Sequence, residues 1–159
     1  MKISRVIWWI LTLGCAAVIL GLSLQSVKQS VQLSGKVTDT IIERDESYQQ
    51  LSEARKVIKN NQMHDRLRKE AHILTFAALG FCATMLVRTY TKRWMFPIVA
   101  PAGMAFAVLD ETVQLLRHAG RTFEWSDIYR DWQGVFAGAC LAAVVALVLY
   151  GIQRIKRGE

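Results

Sequence analysis

Residues 134–153 read GVFAGACLAAVVALVLYGIQ, twenty positions without a charge. A helix rises 1.5 Å per residue, so such a stretch covers the ~30 Å hydrocarbon core of a bilayer. Three more uncharged runs precede it: Val6 to Val27, Ala71 to Val87 and Trp94 to Leu109. The charges sit in blocks between these runs. That is how 159 residues can be 52% apolar, with a mean hydropathy of +0.21, and still carry a net charge of +7. The pattern excludes a water-soluble globular enzyme, a secreted disulfide scaffold and a disordered chain. It predicts one all-α domain over residues 1–159, a four-helix transmembrane bundle with spans near 6–23, 69–87, 95–116 and 134–152. The first run follows Lys2 and Arg5, is longer than the apolar core of a signal peptide and lacks a small-x-small cleavage site, so it is read as a retained anchor.

Orientation follows from the short loops. Lys2 and Arg5, then Arg88, Lys92 and Arg93, then Arg154, Lys156 and Arg157 against Glu159 together account for the whole net charge. The remaining segments sum to zero, although the long loop Leu24 to Glu70 holds nine basic and seven acidic residues. Both termini are therefore expected on the cytoplasmic side of a cell membrane, with the basic residues matched to anionic lipid and not to nucleic acid. Cys15, Cys82 and Cys140 each fall inside a predicted span without His spacing, and read as small core residues, not as zinc ligands or disulfides.

In the long outer loop, Val37, Ile41, Tyr48, Leu51 and Ile58 recur at helical steps among alternating charges. An additional amphipathic helix over about 35–60 is expected, lying on the membrane surface or packing on the bundle. A homo-oligomeric contact through 35–60 is the sharper alternative.

The polar residues at the outer helix ends carry the chemistry. Asp110 lies about 22 Å into a ~30 Å core, roughly 8 Å below the outer surface. An acid facing lipid at mid-membrane costs about 2.5–3.5 kcal/mol, so Asp110 and Glu111 are expected to face the bundle interior or water, with partners. Arg68, Lys69 and His72 open the second span at the same level, with Lys69 and His72 on one face. The outer loop adds Arg121, Asp127 and Asp131, and Gln114 follows one turn after Asp110. These residues define a polar site open to the outside, or else an ion-paired network that only fixes packing. Trp8, Trp9, Trp94, Trp125 and Trp132 sit at predicted boundaries as interfacial anchors. Pro101 is expected to kink the third helix.

The ordered motifs resemble those of the VanZ-like membrane proteins. Ser23 and Gln25, with Ser30 and Ser34 behind them, are similar to that family's S-x-Q stretch. Lys69-Glu70-Ala71-His72 resembles its K-x-x-H, and Asp110-Glu111-Thr112-Val113-Gln114 its D-E-x-x-Q. Gly120-Arg121, Ser126-Asp127-Ile128 and Asp131 followed by Gly134 complete the order. Two departures stand out: the family usually has Asn where this chain has Asp131, and the loop between the first two helices is longer and more charged. The resemblance implies a place in the cell envelope and a link to resistance against the glycopeptide antibiotic teicoplanin. It implies no reaction.

Three readings follow. The first is an envelope protein that modulates antibiotic susceptibility. The second is a membrane enzyme acting on a lipid-linked or polyprenyl phosphate, such as a cell-wall precursor, at the outer leaflet. There His72, Asp110, Glu111 and Asp127 would be the acid–base or metal-ligating groups, and Lys69, Gln114, Arg121 and Asp131 would bind substrate. Carboxylates with an imidazole suit a divalent metal as well as a proton relay, but no motif specifies a cofactor. The third is a structural or partner-binding bundle. A transporter fits poorly, because no repeat is visible and the cytoplasmic halves of the spans lack polar residues.

Overall fold

The computed structural model describes residues 2–24, 35, 48, 51–91, 95–117 and 123–157. Among these the protein is an all-α bundle of four helices: α1 (Lys2–Ser23), α2 (Glu53–Arg88), α3 (Met95–Arg117) and α4 (Trp125–Lys156). Each contains a window long and apolar enough to cross a membrane. The large side chains left outside the bundle are those that lipid would cover. Ile3, Ile10 and Leu13 on α1 are exposed, as are Leu141, Leu147 and Ile152 on α4. A face of this kind would be an aggregation hazard in water and is ordinary in a bilayer.

Two helices begin two turns or more before their uncharged runs. α2 has 36 residues and is about 54 Å long, well beyond the ~30 Å core. Its first turns, from Glu53, take up the end of the stretch expected to form a separate amphipathic helix over 35–60. Of that stretch, residues 53–60 belong to the spanning helix, Gly35 and Tyr48 are helical, Leu51 and Ser52 stand outside any helix, and the other residues lie outside the described ones. The polar extension is helical because Glu53–Lys56 (2.8 Å) and Arg66–Glu70 (3.0 Å) pair at helical spacing, and it contains no Gly or Pro. α4 starts at Trp125, not near 134, which places Asp127 and Asp131 on one helical face.

The chain runs up and down, so Lys2 and Lys156 lie at one end of the bundle. There Arg5 donates to the Thr89 carbonyl (3.1 Å) and lies over the Tyr90 ring (4.5 Å). Trp9 donates to the Tyr90 hydroxyl (3.1 Å), and Arg88 to the Ala146 carbonyl (3.3 Å). The core between the ends is Ile19, Phe76, Leu79, Val99, Val135 and their neighbours. Threonine hydroxyls within the spans bond back to their own helix, as Thr12 does to the Trp8 carbonyl and Thr84 to the Gly80 carbonyl (both 2.7 Å), which satisfies these donors where no water is present. The three cysteines are free thiols.

The closest seam joins α2 and α4. Gly134, Gly138, Ala142 and Ala146 recur every fourth residue on α4, and all are buried. A Cβ at Gly134 would stand 2.6 Å from the Ile73 carbonyl oxygen, and one at Gly138 would overlap the Ala77 carbonyl. Gly80 of α2 reciprocates against the Val135 carbonyl. Without a hydrophobic drive between helices in lipid, backbones attract best where small residues let them touch, and this G-x-x-x-G series provides that approach.

Candidate functional site

At the end of the bundle opposite Lys2 and Lys156, every helix delivers a polar side chain to one place. α1 contributes Ser23, α2 His72, α3 Asp110 and Gln114, and α4 Asp131. Asp110 is the centre and is 0% exposed. The Ser23 hydroxyl donates to its Oδ1 at 2.6 Å, and the Gln114 amide donates to its Oδ2 at 2.8 Å. Gln114 reaches it because i and i+4 share a helical face. The same spacing keeps Glu111, the next residue along, on another face. Glu111 is buried too, but its Oε1 accepts from the Glu124 backbone N–H (3.1 Å) and so ties α3 to the entry of α4.

His72 stands between two acids. Its Nδ1 is 3.9 Å from Asp110 Oδ2 and 3.9 Å from Asp131 Oδ2. Its ring stacks on Phe76, one turn deeper, with centroids 6.2 Å apart, and Phe76 in turn meets Phe106 at 5.9 Å. The cluster therefore has an apolar floor. The Gly134–Gly138 seam begins one turn below Asp131 on the same face, and this tight approach of α2 and α4 holds His72 near Asp131.

One turn nearer the surface a second layer repeats the cross-helix pairing. Lys69 Nζ lies 3.8 Å from Asp127 Oδ1, and Arg130 Nη1 lies 3.4 Å from the same oxygen. Side-chain exposure rises outward, from 0% at Asp110 to 16% at His72, 22% at Asp127 and 37% at Lys69. The polar residues thus form a graded column that opens at this end of the bundle.

Of the residues singled out in the sequence, His72, Asp110, Gln114 and Asp131 come together in the inner layer. Lys69 and Asp127 form the outer layer, and buried Glu111 accepts from the Glu124 backbone N–H. Arg121 lies outside the described residues. Sequence reasoning missed the site roles of Ser23 and Arg130. Ser23 was legible as a hydroxyl closing the first apolar run at the depth of Asp110. Arg130 was legible as the i+3 partner of Asp127 once α4 starts at Trp125.

Among the described residues, His72, Asp110 and Asp131 form a group whose ligand atoms all lie within 4.8 Å of one another. The arrangement can bind a cation, or pass a proton between imidazole and carboxylate. Comparison with curated proteins and with solved structures found no match. A family model described as VanZ/LLP1 matches residues 8–148, a span that holds Ser23, His72, Asp110, Gln114 and Asp131. This multi-pass membrane protein belongs to the VanZ/LLP1 family.

Proposed function

We propose that this chain is a cell-envelope protein that modulates susceptibility to teicoplanin-like glycopeptides through the polar column, which faces outward with both termini in the cytoplasm. The observation that carries this reading is the convergence of all four helices on one fully buried acid. Packing a bundle does not require this, since the α2–α4 seam already joins helices through glycine. Ionisable groups inside a membrane are costly, and retained ones are functional by default. The basic residues at the Lys2 and Lys156 end support the orientation. Pairing of copies through residues 35–60 belongs to the same reading and rests on their helical apolar spacing.

The test is Asp110→Asn, scored in cells for both teicoplanin susceptibility and protein abundance. The substitution keeps shape and an acceptor while it removes the charge. The reading expects normal abundance with loss of the susceptibility effect. Reduced abundance with the effect retained per molecule would make the column purely structural.

A second reading is favoured by the placement of Lys69 and Arg130 one turn outside His72. An enzyme acting on a lipid-linked phosphate at the outer leaflet needs cations at the mouth and an acid–base pair beneath them. Release of phosphate from a polyprenyl phosphate or pyrophosphate by the purified protein, abolished in His72→Gln, separates this from a binding role.

A further inference from the structure

We propose that His72, Asp110 and Asp131 form a site for one divalent transition-metal ion of the zinc or manganese kind. This deepens the reading of the polar column as the functional site and rests on it. Three helices supply one ligand each: an imidazole nitrogen from α2 and carboxylate oxygens from α3 and α4. Two of the three separations are 3.9 Å, too long for hydrogen bonds and too short for an intervening side chain. A point equidistant from three atoms so spaced lies roughly 2.1–2.5 Å from each, against ~2.0–2.2 Å for zinc bonds to nitrogen and oxygen, so a closure of a few tenths of an ångström completes the geometry.

Asp131 supplies an independent observation. It is only 6% exposed, and its carboxylate accepts no hydrogen bond from any described residue. Its Oδ2 instead points at the imidazole. A carboxylate so largely enclosed is short of partners, and a bound cation would supply one. Asp110 contrasts with it, because Ser23 and Gln114 already hold both its oxygens in place. That is the outer-shell support a metal ligand needs, and the Phe76 stack does the same for the His72 ring. A dication also removes the repulsion between two acids that share one imidazole.

The donor set selects the class of ion. Calcium takes six to eight oxygens, and magnesium prefers to keep its waters. One imidazole with two carboxylates suits zinc or manganese, and three protein ligands leave a coordination position open toward the outer layer.

The experiment uses the full chain in detergent, stripped with a chelator and then equilibrated with Zn²⁺ or with Mn²⁺. Metal is counted by elemental analysis and melting is followed in parallel. Manganese is included because the thiols of Cys15, Cys82 and Cys140 attract zinc far more than manganese. The wild type is expected to hold one ion per chain and to melt higher with it. Asp131→Asn, nearly the same shape, is expected to melt like the stripped wild type and to bind at least tenfold more weakly, and His72→Gln likewise. Substoichiometric metal in the folded wild type overturns the proposal, and so does full occupancy in a folded Asp131→Asn. Neither result bears on the teicoplanin test of Asp110→Asn, which stands or falls separately.

Discussion

The α2–α4 seam and the polar cluster hold the same pair of helices by opposite means, one turn apart. At the seam Gly134, Gly138 and Gly80 bring backbones into contact, and nothing polar in a side chain takes part. At the cluster His72 and Asp131 stay 3.9 Å apart with charge between them. The seam has no room for an added atom. The cluster instead holds its imidazole 3.9 Å from each of two carboxylates. Packing sets the helix separation, and the cluster makes use of it.

The largest effect should come from filling the seam. Gly138→Leu must displace the Ala77 carbonyl, and we expect a loss of about 3 kcal/mol or more, read as absence of a folded band or a collapsed melting transition. Unchanged melting would show that the helices are not in backbone contact there. Next comes removal of the buried acid. Asp110→Ala removes the carboxylate that accepts from both the Ser23 hydroxyl and the Gln114 amide, and should cost about 2 kcal/mol in a detergent melt. Ser23→Ala removes only one of these bonds and should cost about 1 kcal/mol. A larger loss from Ser23 than from Asp110 would move the centre of the cluster to α1. The smallest effect belongs to the outer extension of α2. Glu70→Gln breaks an exposed pair with Arg66 and should change the melt by less than about 0.5 kcal/mol.

The fold was legible where charge is absent and illegible where it is present. Uncharged runs reveal a span because lipid excludes charge, so all four helices could be named in advance. They could not be bounded, because a helix that leaves the membrane may carry any residue that pairs. Glu53 to Arg68 and Trp125 to Gln133 are such segments, and both lie outside the predicted spans. The site was legible in its acids and its histidine, since Asp110 and His72 have no cheap place in lipid. Ser23 gave a fainter signal, because a hydroxyl costs little anywhere and only its depth pointed to Asp110. Glu111 is buried beside Asp110, but adjacent helical residues point about 100° apart, so it accepts from the Glu124 N–H while Asp110 meets Ser23 and Gln114. The glycines of the seam were readable as G-x-x-x-G, a signal hidden inside a run already explained by its apolarity.

The burial of Asp110 also constrains how the protein is made. Of the four membrane windows, that of α3 is the least apolar, and this helix carries the buried acids Asp110 and Glu111. Released alone into lipid, it would bring an unshielded carboxylate with it. Synthesis runs from the amino terminus, so Ser23 and His72 leave the ribosome ahead of Asp110, while Asp131 follows it. The first two helices are thus in position to receive the third, and stable insertion of α3 becomes conditional on their arrival.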